Sequence, residues 1–380
     1  MANDKFCFVL GAGASSHFGY PLGNELVEAM EKLKDIIEQK HSSYNEADFN
    51  DALEFLIDIK SYNPLNIDYY LHNHPDKEQI AKKLIEAVIL YSQGIEAFEK
   101  NGDLAKWWRR GRKYGGENGF SERHNECLEP RFNKNYFPAS NWVKFIHHKI
   151  VVHCKDTDEI KEELKNISIV TFNYDLSFEQ ALWRYFQPSK FADIRDYLFN
   201  TFFKENIVHV YGKVVQRDDN GNPIDENYEC QRFDIEERLA LKIFQKSKGN
   251  EIKIIGVNKS DEINVDAIKF LKEANYVYFL GYAFDEFNNQ TLDLKNSLNN
   301  KGLFKNVLYT NYDDGLTCDR KVRSFFSEYD IKPSGSDNRI IKISKVHFLY
   351  EQFWGNILKS KRNVYEALER DLYIPITTKK

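Results

Sequence analysis

Short, wholly apolar runs alternate along this chain with longer stretches of helical periodicity. Residues 6–10 (Phe-Cys-Phe-Val-Leu) contain no polar member, the pattern of a parallel strand covered on both faces. Similar runs occur at 167–172, 206–211, 252–257, 276–280, 306–310 and 340–343. Between them lie amphipathic segments. Residues 24–39 place Leu26, Met30, Leu33 and Ile37 on one helical face; residues 177–186 do the same with Phe178, Leu182 and Phe186. Val265, Ile268, Leu271 and Ala274 mark a crossover helix. Strands alternating with helices predict an α/β fold built on a doubly wound parallel sheet with right-handed crossovers.

The alternation is interrupted once. Residues 25–165 separate two strands that would otherwise be neighbours, and their pattern is mostly helical. Ile80, Leu84, Ala87, Val88, Tyr91, Ile95 and Phe98 fit one face of a long helix, and Trp142, Phe145, Ile146 and Lys149 suggest another. Residues 101–135 are irregular and glycine-rich, with a basic aromatic segment, 106–113 (Lys-Trp-Trp-Arg-Arg-Gly-Arg-Lys). Three readings of that segment stay open: a nucleic-acid or phosphate contact, a partner-binding loop, or a solvated loop with two inward tryptophans. Residues 216–228 form a polar turn region that lacks the spacing of a calcium loop. A helical tail rich in aromatics begins at 346. The expected division is therefore 1–24 with 166–345 as the sheet domain, 25–165 as a helical insertion and 346–380 as a tail.

Composition narrows the setting. The 380 residues can bury a large core, and a net charge of −5 gives no global reason to expect nucleic acid. The 28 Phe and 22 Tyr favour large packed surfaces, within the chain or between subunits. No apolar run approaches the ~20 residues of a membrane span, and the N-terminus runs directly into a strand without the features of a signal peptide. Cys7, Cys127, Cys154, Cys230 and Cys318 include no C-x-x-C pair, so no zinc module or other metal site is expected. Unclustered cysteines suit a reducing cytoplasm.

Chemistry is expected where strands end, because parallel sheets bind ligands at their carboxyl edge. After the first run comes Gly11-Ala12-Gly13-Ala14-Ser15. Such a turn either lets the backbone approach a phosphate or is simply tight; the third position of the dinucleotide fingerprint is Ser16 and no strand ending in an acid follows, which disfavours an ordinary dehydrogenase. The run at 167–172 ends in Asn173-Tyr174-Asp175, where Asn173 can hold a ribose hydroxyl or orient water, and Asp175 or Ser177 can cap the next helix. The run at 206–211 ends in His209-Val210-Tyr211-Gly212. Residues two apart share a strand face, so His209 and Tyr211 are expected to point into the cleft together, with His209 as the candidate base.

Together these segments resemble the sirtuin family, specifically the divergent sirtuin-like NAD hydrolases of bacterial phage-defence systems. The glycine turn with Gly19-Tyr20-Pro21, the Thr171-Phe172-Asn173-Tyr174-Asp175 segment and His209-Val210-Tyr211-Gly212 are similar to that family's motifs in order. Gly281-Tyr282-Ala283 and Asn311 follow two later strands where the family contacts its cofactor. The resemblance covers roughly 5–24 and 166–345. It implies a Rossmann-like, sirtuin-like domain that hydrolyses the nicotinamide–ribose bond of NAD, its substrate, to nicotinamide and ADP-ribose. It implies Asn173, His209 and Tyr211 as catalytic residues, and Gly11, Ala12, Gly13, Ser15, Asp175, Gly281, Tyr282 and Asn311 as NAD-binding residues. It also implies a homo-oligomer, a HerA-type ATPase partner and a role in antiviral defence through NAD depletion. Two departures stand out: Tyr211, not histidine, precedes the glycine, and the zinc module that builds the family's acyl-peptide cleft is missing. Cleavage of NAD without a peptide acceptor is therefore favoured over deacylation or ADP-ribosyl transfer, and the alternative is a non-catalytic subunit that senses NAD or ADP-ribose.

Overall fold

The computed structural model describes residues 4–15, 20–23, 25–40, 47–62, 64, 67–94, 142–186, 191, 193–214, 244–245, 247–254, 264–298, 306–309 and 317–327. Among them, five strands form one all-parallel sheet: β1 (Phe6–Leu10), β2 (Ile167–Thr171), β3 (Ile207–His209), β4 (Tyr276–Leu280) and β5 (Asn306–Tyr309). Their order is β3-β2-β1-β4-β5. β1 is therefore central, and the chain winds outward from it in both directions, an arrangement compatible with a Rossmann-like fold. The crevice of such a sheet lies where the winding reverses, outside the ends of β1 and β4.

Register makes the carboxyl edge level. Leu10 pairs with Thr171 on one side and Leu280 on the other, and Thr171 pairs with His209. Gly11, Phe172, Val210 and Gly281 thus leave the sheet side by side. β1 is buried at every position, as its unbroken apolar sequence requires. Its aromatic residues stack across the ladder on those of β4, Phe6 on Tyr276 at 5.1 Å and Phe8 on Tyr278 at 5.2 Å between ring centroids.

Each face of the sheet has its own core. One gathers Cys7, Val9, Val170, Val277 and Phe279 under Ala267 and Leu271 of the Val265–Glu273 helix and Val322 of the Thr317–Ser327 helix. The other gathers Phe8, Leu10, Ile169 and Tyr278 under the described helices of the insertion, with Met30, Leu33, Phe55, Leu84, Val88, Trp142 and Ile146 in the same cluster. The helices Leu26–Lys40, Ala47–Tyr62, Ile67–Asn73, Glu78–Gly94, Trp142–Val151 and Thr157–Leu164 are therefore one wall of the sheet's own core. The Ser177–Phe186 helix follows β2 directly and packs on Trp142–Val151.

Two expectations change. β3 stops at His209, two residues before the end of its apolar run. Residues 252–254 do not join the sheet; the Lys253 N–H instead donates to the Tyr211 carbonyl at 2.8 Å, beside the exit of β3. The runs at 255–257 and 340–343, the basic aromatic segment 106–113, the turn region 216–228 and the tail from 346 lie outside the described residues. Among the described residues no helix is long and apolar enough to cross a membrane.

Candidate functional site

The ends of β1 and β4 are welded together by their glycines. Gly11 N–H donates to the Leu280 carbonyl at 3.0 Å and Gly13 N–H to the Gly281 carbonyl at 3.2 Å. Gly281 has a φ of +59° and lies so close that a Cβ on it would collide with the backbone of Gly13 and Ala14. A Cβ on Gly13 would in turn come within 2.8 Å of Gly281 Cα. Backbone meeting backbone accounts for these glycines. The Ala14 N–H is also used, donating to the Gly11 carbonyl at 2.9 Å. So the N–H groups of Gly11, Gly13 and Ala14 are turned inward, and the segment expected to cradle a phosphate with Gly11, Ala12, Gly13 and Ser15 forms a seam between two turns.

Ser15 belongs to a different structure, a buried polar cluster centred on Asn173. The Asn173 side chain is buried, and its Nδ2 donates to the Gly11 carbonyl at 3.0 Å and to Ser15 Oγ at 2.8 Å. Because a backbone carbonyl only accepts, this contact fixes which end of the amide is nitrogen. Ser15 Oγ donates to Asp175 Oδ1 at 3.0 Å and lies 3.1 Å from Ser177 Oγ, which uses up its single proton and both lone pairs. Asp175 Oδ1 also accepts the Ser177 N–H at 3.0 Å, starting the Ser177–Phe186 helix. Burial pushes the Asp175 carboxyl above its ordinary range, and the nearby Glu179 pushes it further, while the hydrogen bonds from Ser177 and Ser15 pull it back. Asp175 is thus an organiser of this turn. Trp142 ties the insertion in, donating through Nε1 to the Ala14 carbonyl at 2.9 Å.

His209 is part of the same cluster. Its Nδ1 lies 3.1 Å from the Asn173 carbonyl and its Nε2 lies 2.7 Å from Glu179 Oε1. Both side chains are nearly enclosed, with 9% and 4% of their surfaces exposed. Both ring nitrogens of His209, the expected general base, are thus engaged within the protein in this arrangement. Asn173 is held at every polar atom but one: its N–H by Thr171 Oγ1 at 3.1 Å, its carbonyl by His209, its Nδ2 by Gly11 and Ser15. Oδ1 makes no hydrogen bond among the described residues. The cluster therefore presents one fixed, neutral acceptor at the carboxyl edge.

No family model, curated protein or solved structure matches the chain.

Tyr211 departs from the expected pairing with His209. Beyond His209 the chain leaves the ladder and turns at Gly212, whose φ is +79° and whose N–H donates back to the His209 carbonyl at 3.2 Å. The period-two alternation ends with the strand, and Tyr211 swings to the opposite face. There its ring meets Phe172 edge-on at 5.3 Å, and its hydroxyl donates to Asn288 Oδ1 at 2.5 Å. Burial pushes its hydroxyl far above the usual phenol range. Tyr282 is placed alike: it is buried against Phe172, Phe279 and Phe284 and donates to Asn289 Oδ1 at 2.9 Å. Both are anchors of the Glu286–Thr291 helix. Asn311 lies outside the described residues. No group of three or more His, Cys, Asp or Glu side chains is placed to hold a metal among the described residues.

Sequence reading missed Glu179. An acid in the first turn of a helix is an ordinary companion of the helix dipole, so nothing in the pattern distinguished it.

Proposed function

We propose that this chain is a doubly wound, sirtuin-like NAD hydrolase that cleaves the nicotinamide–ribose bond and acts in antiviral defence by depleting NAD. The observation that carries the proposal is Asn173 Oδ1, a rigid neutral acceptor at the carboxyl edge, within a segment similar to the motif that binds the nicotinamide ribose in that family. In this reaction the bond from ribose C1′ to the nicotinamide nitrogen breaks, nicotinamide leaves with the bonding electrons, and water adds at C1′ and releases a proton. The transition state has oxocarbenium character, as in other glycosidic cleavages. Departure of a neutral leaving group requires no protonation, so a site without an open general acid is compatible with it. Asn173 Oδ1 would accept from a ribose hydroxyl or from the attacking water and so fix its direction. The pyrophosphate would be held elsewhere than on the inward-turned N–H groups of Gly11 and Gly13.

Incubating the protein with NAD and following nicotinamide, with and without an acylated peptide, tests the proposal. Peptide-independent release is expected; release only with the peptide would mean acyl transfer. A second reading, a non-catalytic subunit that senses NAD or ADP-ribose, is favoured by one observation: His209 and Tyr211 both use their polar atoms inside the protein. Tight NAD binding without turnover would select it. Restraint of a hydrolase of this kind by homo-oligomer assembly or a HerA-type ATPase partner belongs to the same proposal.

A further inference from the structure

We infer that Glu179 is a positioning residue for the NAD-cleaving site, acting through His209 on the backbone of Asn173; this rests on the hydrolase reading. The chain of contacts is continuous and short. Glu179 Oε1 meets His209 Nε2 at 2.7 Å, and His209 Nδ1 meets the Asn173 carbonyl at 3.1 Å. The Asn173 carbonyl can only accept, so Nδ1 must carry a proton. An isolated imidazole carries its proton on either nitrogen, and with the proton on Nε2 the Nδ1 lone pair would face the carbonyl oxygen. A group that donates to Nε2, or that accepts from it while the ring carries both protons, keeps Nδ1–H pointed at Asn173, and Glu179 is the group within reach of Nε2.

The consequence reaches the amide. Thr171, Gly11, Ser15 and His209 together hold Asn173 from four directions, and only Oδ1 is left open. Loss of the His209 contact would leave a buried carbonyl unsatisfied and remove one of these four holds on the residue. The two acids near the cluster divide the work. Asp175 serves Ser15 and Ser177, on the side of the β1 turn, whereas Glu179 serves His209, on the side of β3. Glu179 is 3% exposed and lies on the first turn of the Ser177–Phe186 helix, which fixes its distance from His209 independently of any ligand.

The test uses Glu179→Leu and Glu179→Gln in the full chain, alone and combined with His209→Asn. A glutamine can donate through its amide to Nε2 and so keep the proton on Nδ1; a leucine can do neither. Glu179→Leu should lower kcat for nicotinamide release ~10- to 100-fold, the range for outer partners that orient a working group, with a smaller change in KM. Glu179→Gln should restore most of that loss. An asparagine at 209 places an N–H near the position of Nδ1 without needing a partner, so Glu179→Leu should have little further effect in the His209→Asn background. Nitrogen-15 NMR of labelled histidine, assigned with His209→Asn, should show Nδ1 protonated in the unmodified protein and in Glu179→Gln. Full kcat in Glu179→Leu, a Glu179→Gln enzyme as impaired as Glu179→Leu, or an Nδ1 without its proton would overturn the inference. If Glu179→Leu does not fold, Glu179→Gln and the NMR signal decide. If the unmodified protein releases no nicotinamide, the hydrolase reading fails, while the ring signal still reports on the contact chain.

Discussion

Two polar clusters sit at the same edge of the same sheet, on its opposite faces, and they differ in what they leave open. On one side Ser15, Asp175, Ser177, His209 and Glu179 hold Asn173 in place and leave its Oδ1 as a neutral acceptor without a partner among the described residues. On the other, Tyr211 and Tyr282 bury their rings among Phe172, Phe279 and Phe284 and give their hydroxyls to Asn288 and Asn289. The first network orients an atom; the second satisfies hydroxyls so that aromatic rings can be buried. Hydrogen bonding alone therefore does not mark a working site. What separates the two is whether a polar atom is held rigidly and left unfilled.

The seam shared by both clusters gives the largest expected effect. Gly281→Val combines a left-handed backbone position with a collision against Gly13 and Ala14. Strain of ~1–3 kcal/mol and overpacking of ~1–3 kcal/mol should together leave little folded protein, measured by yield and thermal unfolding. A normally folded Gly281→Val would mean that the two turns are not welded. Asn173→Ala comes next. It should cut nicotinamide release ~10²- to 10³-fold, the scale for losing one oriented contact in a transition state. It should also destabilise the fold by ~1–3 kcal/mol, because the Gly11 carbonyl and Ser15 Oγ each lose a hydrogen bond inside a buried cluster. Retained turnover would place the chemistry elsewhere on the edge.

His209→Ala should reduce turnover less than Asn173→Ala, since it acts on orientation; steady-state kinetics of the two variants side by side ranks them. Tyr211→Phe should keep turnover close to that of the unmodified protein and cost ~1 kcal/mol of stability by leaving Asn288 without its donor. A dead but folded Tyr211→Phe would erase the distinction between the clusters. The smallest effect concerns Asp175. Its carboxyl is pushed up in the folded state, so the folded chain binds its proton more tightly than the unfolded chain. That contribution to stability is complete below the ordinary aspartate range and is lost as pH rises through the raised value. Asp175→Asn should therefore gain in melting temperature relative to the unmodified protein at neutral pH, and the gain should shrink on acidification. A difference that grows in acid would reverse the assignment.

Much of this was legible in the order of residues. Five of the strand runs appear as strands, and the Ser177–Phe186 helix has the bounds its periodicity gave. Buried parallel strands are written as unbroken apolar runs, and helices as repeats near 3.6, so both can be read locally. Asn173 could be picked out because it ends such a run. The purpose of Gly11 and Gly13 could not, because their neighbour Gly281 is 268 residues beyond Gly13 in the chain.

The sequence by itself determined the alternation of strands and helices, the apolar faces that drive them together, and the residues present where strands end. Only the tertiary structure decided which of those residues work together. His209 and Tyr211 are two positions apart, yet a turn at Gly212 sends them to opposite faces; His209 and Glu179 are 30 positions apart, yet they lie 2.7 Å from each other. Local pattern follows from backbone geometry, which repeats every few residues. The engagement of a side chain depends on which distant groups reach it first, and that is settled when the sheet and its two cores assemble.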